Sequence, residues 1–368
     1  MHRRVPDRIL LGVVTVLVLA GFLIFSSASL GLLSREGAQF SSVALNQFLF
    51  GIVGGSIALF VGSSIHYRVW RQWAFYIFLA TLFLTLLVFV PGIGFSHGGA
   101  QRWLDLGIIT LQPAEFLKIG FIVYLATWLS GMRGHITTFK KGTLPFVGIV
   151  ALVGVIMLLQ PDTDTYAVMV SSAFAMFITA GGRIRDVIVM GICGVLLLAV
   201  LAFARPYVMD RIMTFINPSS DPLGAGYQVN QSLIAIGSGN LFGRGFGQSV
   251  QKFEYLPEPI GDSIFAVFAE EFGFLGTVLL VLLFTAFAFR GYRIASHAPD
   301  LFGMLLVVGI ITLVIVQTFL NIAAMLGIAP LSGLPLPFIS HGGTALFTTL
   351  AAIGMVLNVS KYQKRSVG

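Results

Sequence analysis

One feature dominates this chain: ten apolar runs, separated by mostly short polar connections, at 9–27, 47–64, 73–91, 112–130, 144–160, 165–181, 186–204, 263–289, 302–326 and 343–359. About 20 apolar residues in a helix cross the hydrocarbon layer of a bilayer. No water pairs with backbone amides inside that layer, so a run must close its own hydrogen bonds as a helix or join a closed barrel. Barrel-like alternation is absent. The pattern predicts an all-α polytopic membrane protein of ten transmembrane helices, one domain over residues 1–368. Charged residues make up 10% of the chain and hydrophobic ones 57%, whereas a soluble domain carries about 25% charged residues. The first run follows Arg3, Arg4 and Arg8 as a signal peptide would, but it lacks a small-residue cleavage site and reads as a retained span. The eighth run exceeds what a bilayer requires and should tilt or protrude. A single cysteine, Cys193, excludes a disulfide framework and a cysteine-based metal site.

Basic residues orient the spans. One set of connections and termini holds 15 of the 22 (Arg3, Arg4, Arg8, Arg68, Arg71, Arg133, Lys140, Lys141, Arg183, Arg185, Arg290, Arg293, Lys361, Lys364 and Arg365). The opposite set holds six: Arg35, Arg102, Arg205, Arg211, Arg244 and Lys252. The positive-inside rule then predicts cytoplasmic termini. The formal charge of +7 reflects topology and does not call for nucleic acid. Two extracytoplasmic segments stand out: a polar loop at 92–111, and the long connection 205–262 between the seventh and eighth helices. The latter is rich in aromatic residues and should fold on the membrane face, with an amphipathic helix around Tyr227–Ile236.

A few polar residues need explaining. Glu115 and Lys118, three apart near the start of the fourth span, share a helix face; ions at this depth normally pair and face a bundle interior. They are either a structural pair or part of a site, and both can hold. Gln160 to Asp164 form an outer turn that Pro and Asx chemistry explains without function, though Asp162 or Asp164 could also hold a cation or a basic partner. Arg102 beside Trp103 suits a phosphate, since a guanidinium presents a planar fork of donors. Asp262 opens the eighth span, where an Asp ordinarily caps the helix. It also closes the long, basic, aromatic loop at the membrane surface, where a lipid-linked headgroup would lie. Six scattered histidines show no zinc spacing, and the glycine-rich stretch near Gly239 lacks the features of a nucleotide loop.

Several ordered blocks are similar to the SEDS proteins (shape, elongation, division and sporulation), polytopic peptidoglycan glycosyltransferases. GGAQRWLDLGIITLQPAEFLK resembles their RW…QPSE..K block, and QPDTDTYAV their QPDLGTA turn. NPSSDPLGAGYQVNQSLIAIGSGNLFGRGFGQSVQKFEYLPE follows their large loop, DSIFAVFAEEFGFLG the next segment, and GLPLPFISHGGTAL their PFISYGGSS block. Thr163 and Asp164 replace the usual Leu-Gly, His341 a Tyr, and Ile260-Gly261 a common His-Thr. Asp262 stands at the family's catalytic position. The loop motifs look more like the division branch, FtsW, than the elongation branch, RodA.

The resemblance implies polymerisation of lipid II, a disaccharide-pentapeptide on undecaprenyl diphosphate, at the outer leaflet of the bacterial cytoplasmic membrane. A glycosidase usually needs two carboxyls, one of which protonates the leaving oxygen. A diphosphate leaves unprotonated if its charge is neutralised, so one general base plus cations suffices. Asp262 would be the base. Arg102, Arg211, Arg244 and Lys252, with room for Mg²⁺ or Mn²⁺, would face the diphosphates, and no organic cofactor is called for. Glu115 and Lys118, with Asp162 and Glu258, would support the cavity. The implied partners are a class B penicillin-binding protein transpeptidase and other divisome or elongasome membrane proteins. Two alternatives remain open: a lipid II flippase, and a non-catalytic scaffold of the synthase.

Overall fold

The computed structural model describes residues 5–35, 43–97, 100–105, 110–204, 206–218, 221 and 224–363; Arg3, Arg4, Arg205, Lys364 and Arg365 lie outside them. Among the described residues, nine helices are long and apolar enough to cross a membrane. These are α1 (Arg8–Arg35), α2 (Val43–Ser64), α3 (Tyr67–Leu86), α4 (Pro113–Gly131), α5 (Leu144–Leu159, entered through a π-wound turn, Phe139–Thr143), α7 (Ile184–Ala204), α11 (Ile264–Ser296), α12 (Leu301–Met325) and α13 (Gly343–Ser360). The sixth expected run forms α6, Thr163–Thr179, a helix of 17 residues. In the long connection, α8 (Pro206–Ile216), α9 (Ala225–Ser238) and the single turn α10 (Gln251–Glu254) carry the path. The amphipathic helix expected near Tyr227 is α9.

The all-α expectation misses one element. The loop at 92–111 contains an antiparallel sheet of β1 (Gly94–His97), β2 (Ala100–Asp105) and β3 (Thr110–Leu111). Phe95 pairs with Trp103, and Leu104 with Leu111. The register shifts between the Phe95–Trp103 and Ser96–Gln101 pairs, so Arg102 is the extra residue of a β-bulge in β2.

Local chemistry sets the helix starts. Pro113 occupies the first turn of α4, where a missing amide is harmless. Asp162 caps α6 by accepting from the Thr165 amide, and Asp300 caps α12 by accepting from Gly303. Helices α12 and α13 are the most buried of the nine: 78% of the apolar stretch of each is buried, against 6% for α7 at the periphery. Helix α12 packs on α4, α6, α11 and α13. Lipid chains are as apolar as leucine, so helix pairing here depends on close packing of small residues. A Cβ at Gly354 of α13 would sit 2.4 Å from the Leu59 carbonyl oxygen of α2.

The eighth run is not one continuous helix. Gly273 interrupts α11 at φ 66°, ψ −164°, a conformation that is essentially glycine-only. Segment 240–245 fills the break. Phe274 and Leu275 amides donate to the Asn240 and Leu241 carbonyls (2.8 and 3.1 Å), while the Arg244 and Gly245 amides donate to Glu270 and Glu271 carbonyls (both 3.0 Å). The backbone groups freed by the kink thus find partners inside the protein, as lipid demands.

Polar contacts fasten one end of the bundle. Arg290 donates to both Asp7 carboxylate oxygens, and the Asp7 amide donates to Ser360 Oγ (3.0 Å). Tyr67 donates its hydroxyl to Asp300, and its amide to Asn358. Residues 7, 300 and 360 therefore share one end, and Asp262 lies at the other.

Replacing Gly273 with alanine should lower thermal stability in detergent, because the backbone conformation alone costs about 1–3 kcal/mol for a residue with a side chain. The added Cβ would also meet the Gly243 nitrogen at 2.3 Å. Differential scanning fluorimetry of Gly273→Ala beside Gly12→Ala, where a Cβ meets nothing within 4 Å, checks this: only the former should melt markedly earlier.

Candidate active site

Asp262 is partly buried in the turn that leads into α11. It does not cap that helix: Ser263 occupies the cap position, and no side chain caps the first turn. Its carboxylate is held from the side. Gln228 of α9 donates Nε2 to Asp262 Oδ1 (3.1 Å) and to Ser263 Oγ (2.9 Å). The backbone is pinned separately, by Asn321 Nδ2 of α12 donating to the Asp262 carbonyl (2.8 Å). Burial, and then the negative charge of Glu258, push the Asp262 carboxyl up to about 7, against smaller opposing effects of Gln228 and Ser263. Glu258 is exposed at a left-handed backbone position, φ 45°.

The segment between α12 and α13 surrounds this turn. Ser340 Oγ donates to the Gly261 carbonyl (2.6 Å) and the His341 amide to the Ile260 carbonyl (2.7 Å). The His341 ring stacks on Phe25 of α1, with centroids 5.9 Å apart. Burial drives its pKa down to about 4, leaving a neutral ring.

Below this lies the expected ion pair. Lys118 Nζ is 2.7 Å from Glu115 Oε1, with both side chains almost fully buried. Lys118 also donates to Gln317 Oε1 (2.9 Å), and Thr348 donates to Glu115 Oε2 (3.3 Å). Gln317 in turn donates to the Pro335 carbonyl, and Asn321, one turn on, donates to Leu334 as well as Asp262 (2.8 Å in each case). The pair therefore reaches the Asp262 turn through two amide side chains of α12.

The four basic residues expected to face diphosphates have different fates. Arg102 donates Nε to the Gln160 carbonyl (3.2 Å) and a second nitrogen to the Pro161 carbonyl, and lies 3.8 Å from Asp162. It fastens the 160–162 turn. Asp162 is buried; burial raises its pKa, with Arg102 opposing. Arg211 of α8 meets Asp164 at 2.7 Å and lines a cavity of about 120 Å³ with Thr214, Val229, Leu233 and Leu331. Arg244 is partly exposed, 3.4 Å from Glu270.

Lys252 corrects the expectation. It is fully buried, with Nζ donating to Glu271 (2.6 Å), Ser27 Oγ (3.0 Å) and the Gly247 carbonyl (2.9 Å). All three ammonium donors are engaged, so it has none for a diphosphate. Its partner Glu271 also accepts from Ser27, while Glu270 accepts from Ser249 Oγ and the Val250 and Gln251 amides. This adjacent pair of glutamates, with Gln228, Gln317 and Asn321, went unassigned from sequence. For all but Gln228, which lies in the long connection, the available signal was polarity within an apolar run. Among the described residues no group of three or more His, Cys, Asp or Glu side chains converges to hold a metal ion, so no step is assigned to one.

The profile of the FtsW/RodA/SpoVE family, described as cell cycle proteins, matches residues 7–365. The chain is 40% identical to stage V sporulation protein E of Bacillus subtilis, covering 98% of each. It is 36% identical to a probable peptidoglycan glycosyltransferase FtsW of Geobacter sp. strain M18, covering 96% of each. Its fold resembles a chain from a structure described as structural coordination of polymerization and crosslinking by a peptidoglycan synthase complex (TM-score 0.80, 26% identity, 98% and 99% coverage). It also resembles the rod shape determining protein RodA of Thermus thermophilus (TM-score 0.72, 26% identity, 98% of each chain). The chain belongs to the FtsW/RodA/SpoVE family, the SEDS proteins, and is a multi-pass membrane protein.

The buried pair should show non-additive energetics. Lys118→Met alone strands the Glu115 carboxylate and should cost about 3–5 kcal/mol, as breaking a buried pair does. Adding Glu115→Gln should recover part of that loss, because no uncompensated charge remains. Thermal melts of the two singles and the double in detergent check this.

Proposed function

We propose that this chain is a peptidoglycan glycosyltransferase polymerising lipid II at the outer face of the bacterial cytoplasmic membrane, in cell division or elongation, with Asp262 as general base. The observation that carries this reading is the Asp262 carboxyl, raised to about 7 and held by Gln228 at the end of the bundle opposite residues 7 and 360. It occupies the position that resembles the family's catalytic aspartate.

The 4-hydroxyl of the acceptor sugar attacks the anomeric carbon of the donor. A new carbon–oxygen bond forms, and the bond to the diphosphate oxygen breaks with its electron pair. The hydroxyl proton passes to Asp262. Backside attack converts the α-linked donor into a β-1,4 glycan. A base is most effective when its pKa lies near the working pH, which the burial of Asp262 achieves without a second catalytic carboxyl. Arg211 and Arg244, the less buried cations, are suited to neutralise the leaving diphosphate; Arg102 acts by holding the turn beside Asp164, the partner of Arg211.

Ten crossings with cytoplasmic termini fit this reading. The contact of Asp7 with Ser360 needs an even number of crossings between them, so α6 joins the nine longer helices. The excess of Lys and Arg at that end makes it the cytoplasmic one. A flippase fits less well, since alternating access favours a site near the midplane, whereas the buried Glu115–Lys118 pair lies in the first turns of α4. The synthase-complex neighbour supports a crosslinking partner of the class B penicillin-binding type.

An impermeant thiol reagent on intact cells should label a cysteine introduced at Gln248 but not one at Lys140; the reverse pattern would overturn the topology. Asp262→Asn should keep near-parental melting but lose about 10²–10⁴-fold in polymerisation of labelled lipid II. Parental activity should rise with pH, half-maximal near 7, because the deprotonated carboxylate is the active form. Glu258→Gln removes a negative charge that raises the Asp262 pKa, so the half-maximum should move to lower pH. Polymerisation by Asp262→Asn at the parental rate would reassign the base.

A further inference from the structure

After an α-helical start at 43–46, α2 is wound as a π-helix over Gln47–Gly54, a rare form that is frequent at functional sites. Here it directs Gln47 inward, where it is buried. Gln47 Nε2 donates to the Ser340 carbonyl (3.3 Å), and Gln47 Oε1 accepts from the Gly342 amide (3.1 Å). One side-chain amide thus satisfies a backbone acceptor and a backbone donor on either side of His341. Ser340 and the bracketed His341 both bond the catalytic turn, through Ser340 Oγ to the Gly261 carbonyl and the His341 amide to the Ile260 carbonyl.

We propose that Gln47 is a positioning residue for Asp262, acting from α2 through the 340–342 peptides onto the 260–262 backbone. The proposal rests on the glycosyltransferase reading for its catalytic consequence, but not for its mechanical one. Among the described residues, the side-chain polar contacts of the Asp262 carboxylate come from Gln228 and Ser263, and none from α2. The link is therefore indirect. A carbonyl and an amide left unpaired at this depth would have to find new partners, and the 340–342 segment can do so only by turning. Its two bonds to residues 260 and 261 would then be lost together, leaving the bond from Asn321 to the Asp262 carbonyl as the tether from α12.

Gln47→Met keeps length and removes both hydrogen bonds. Gln47→Glu, which burial should hold neutral, restores one donor and one acceptor. Hydrogen exchange by mass spectrometry on the full-length protein in nanodiscs is the first readout. In Gln47→Met, peptides covering 336–343 and 257–264 should both exchange faster, by about tenfold or more, and Gln47→Glu should return both towards parental. The second readout is lipid II polymerisation. Gln47→Met should lower kcat about 10-fold or more with KM little changed, since a small misplacement of a reacting group carries costs of that order. Its pH half-maximum should fall below the parental one as Asp262 gains solvent. Faster exchange confined to 336–343, or a parental kcat and pH profile in Gln47→Met, would overturn the proposal. If the parental protein makes no polymer while both peptides still loosen together, the coupling stands and the glycosyltransferase reading fails.

Discussion

The structure depends on satisfying an irregular stretch of backbone at the edge of a bilayer. Between α12 and α13 the chain runs through residues 327–342 without a regular helix, where water cannot be counted on to pair with peptide groups. Side chains take that role: Gln317 for Pro335, Asn321 for Leu334, Ser340 for the Leu336 amide, and Gln47 for Ser340 and Gly342. Each of these residues carries a second bond or sits beside one that leads elsewhere, so the loop becomes a rigid connector. Its outer edge holds the turn bearing Asp262.

Buried charge is handled by the same rule. Glu115 with Lys118, and Glu271 with Lys252, are desolvated pairs that are further bonded by polar side chains or carbonyls. Such pairs are weak evidence for stability, because desolvation offsets their attraction. They fix geometry. The first couples α4 to α12 and so to the connector. The second, with Glu270, ties segment 247–252 to α1 and to the opening turns of α11. Those turns are separated from the rest by the Gly273 break, and the break is where segment 240–245 inserts. Much of the long outer connection is thereby anchored to the bundle.

A single carboxylate suits the proposed chemistry because the leaving group is already a stable anion. What the fold must supply is a base of suitable strength at a fixed place. Partial burial supplies the strength, assisted by Glu258. The amide of Gln228 fixes the carboxylate, while Asn321, Ser340 and His341 fix the backbone beneath it. The flanking cations divide into those that hold structure, Arg102 and Lys252, and those left near the surface, Arg211 and Arg244.

Sequence alone determined the apolar runs, their helical state and the charge asymmetry between the two ends, because transfer of peptide groups into hydrocarbon allows few solutions. It also pointed to Glu115–Lys118, since two ions three residues apart in an apolar helix must share a face, and to Asp262 through the motif that surrounds it. It did not reveal the small sheet at 94–111, whose strands are too short to stand out as a pattern, or the break at Gly273, which looks like any glycine in an apolar run. It also set Lys252 facing a diphosphate, and left a helix-cap role for Asp262 open beside the catalytic one. Those roles depend on groups far apart in the chain: Glu271 and Ser27 for one, Gln228 and Asn321 for the other. A side chain's exposure and its hydrogen-bond partners arise only when distant segments pack, so the tertiary structure alone decided which charges are structural and how the Asp262 carboxylate is held.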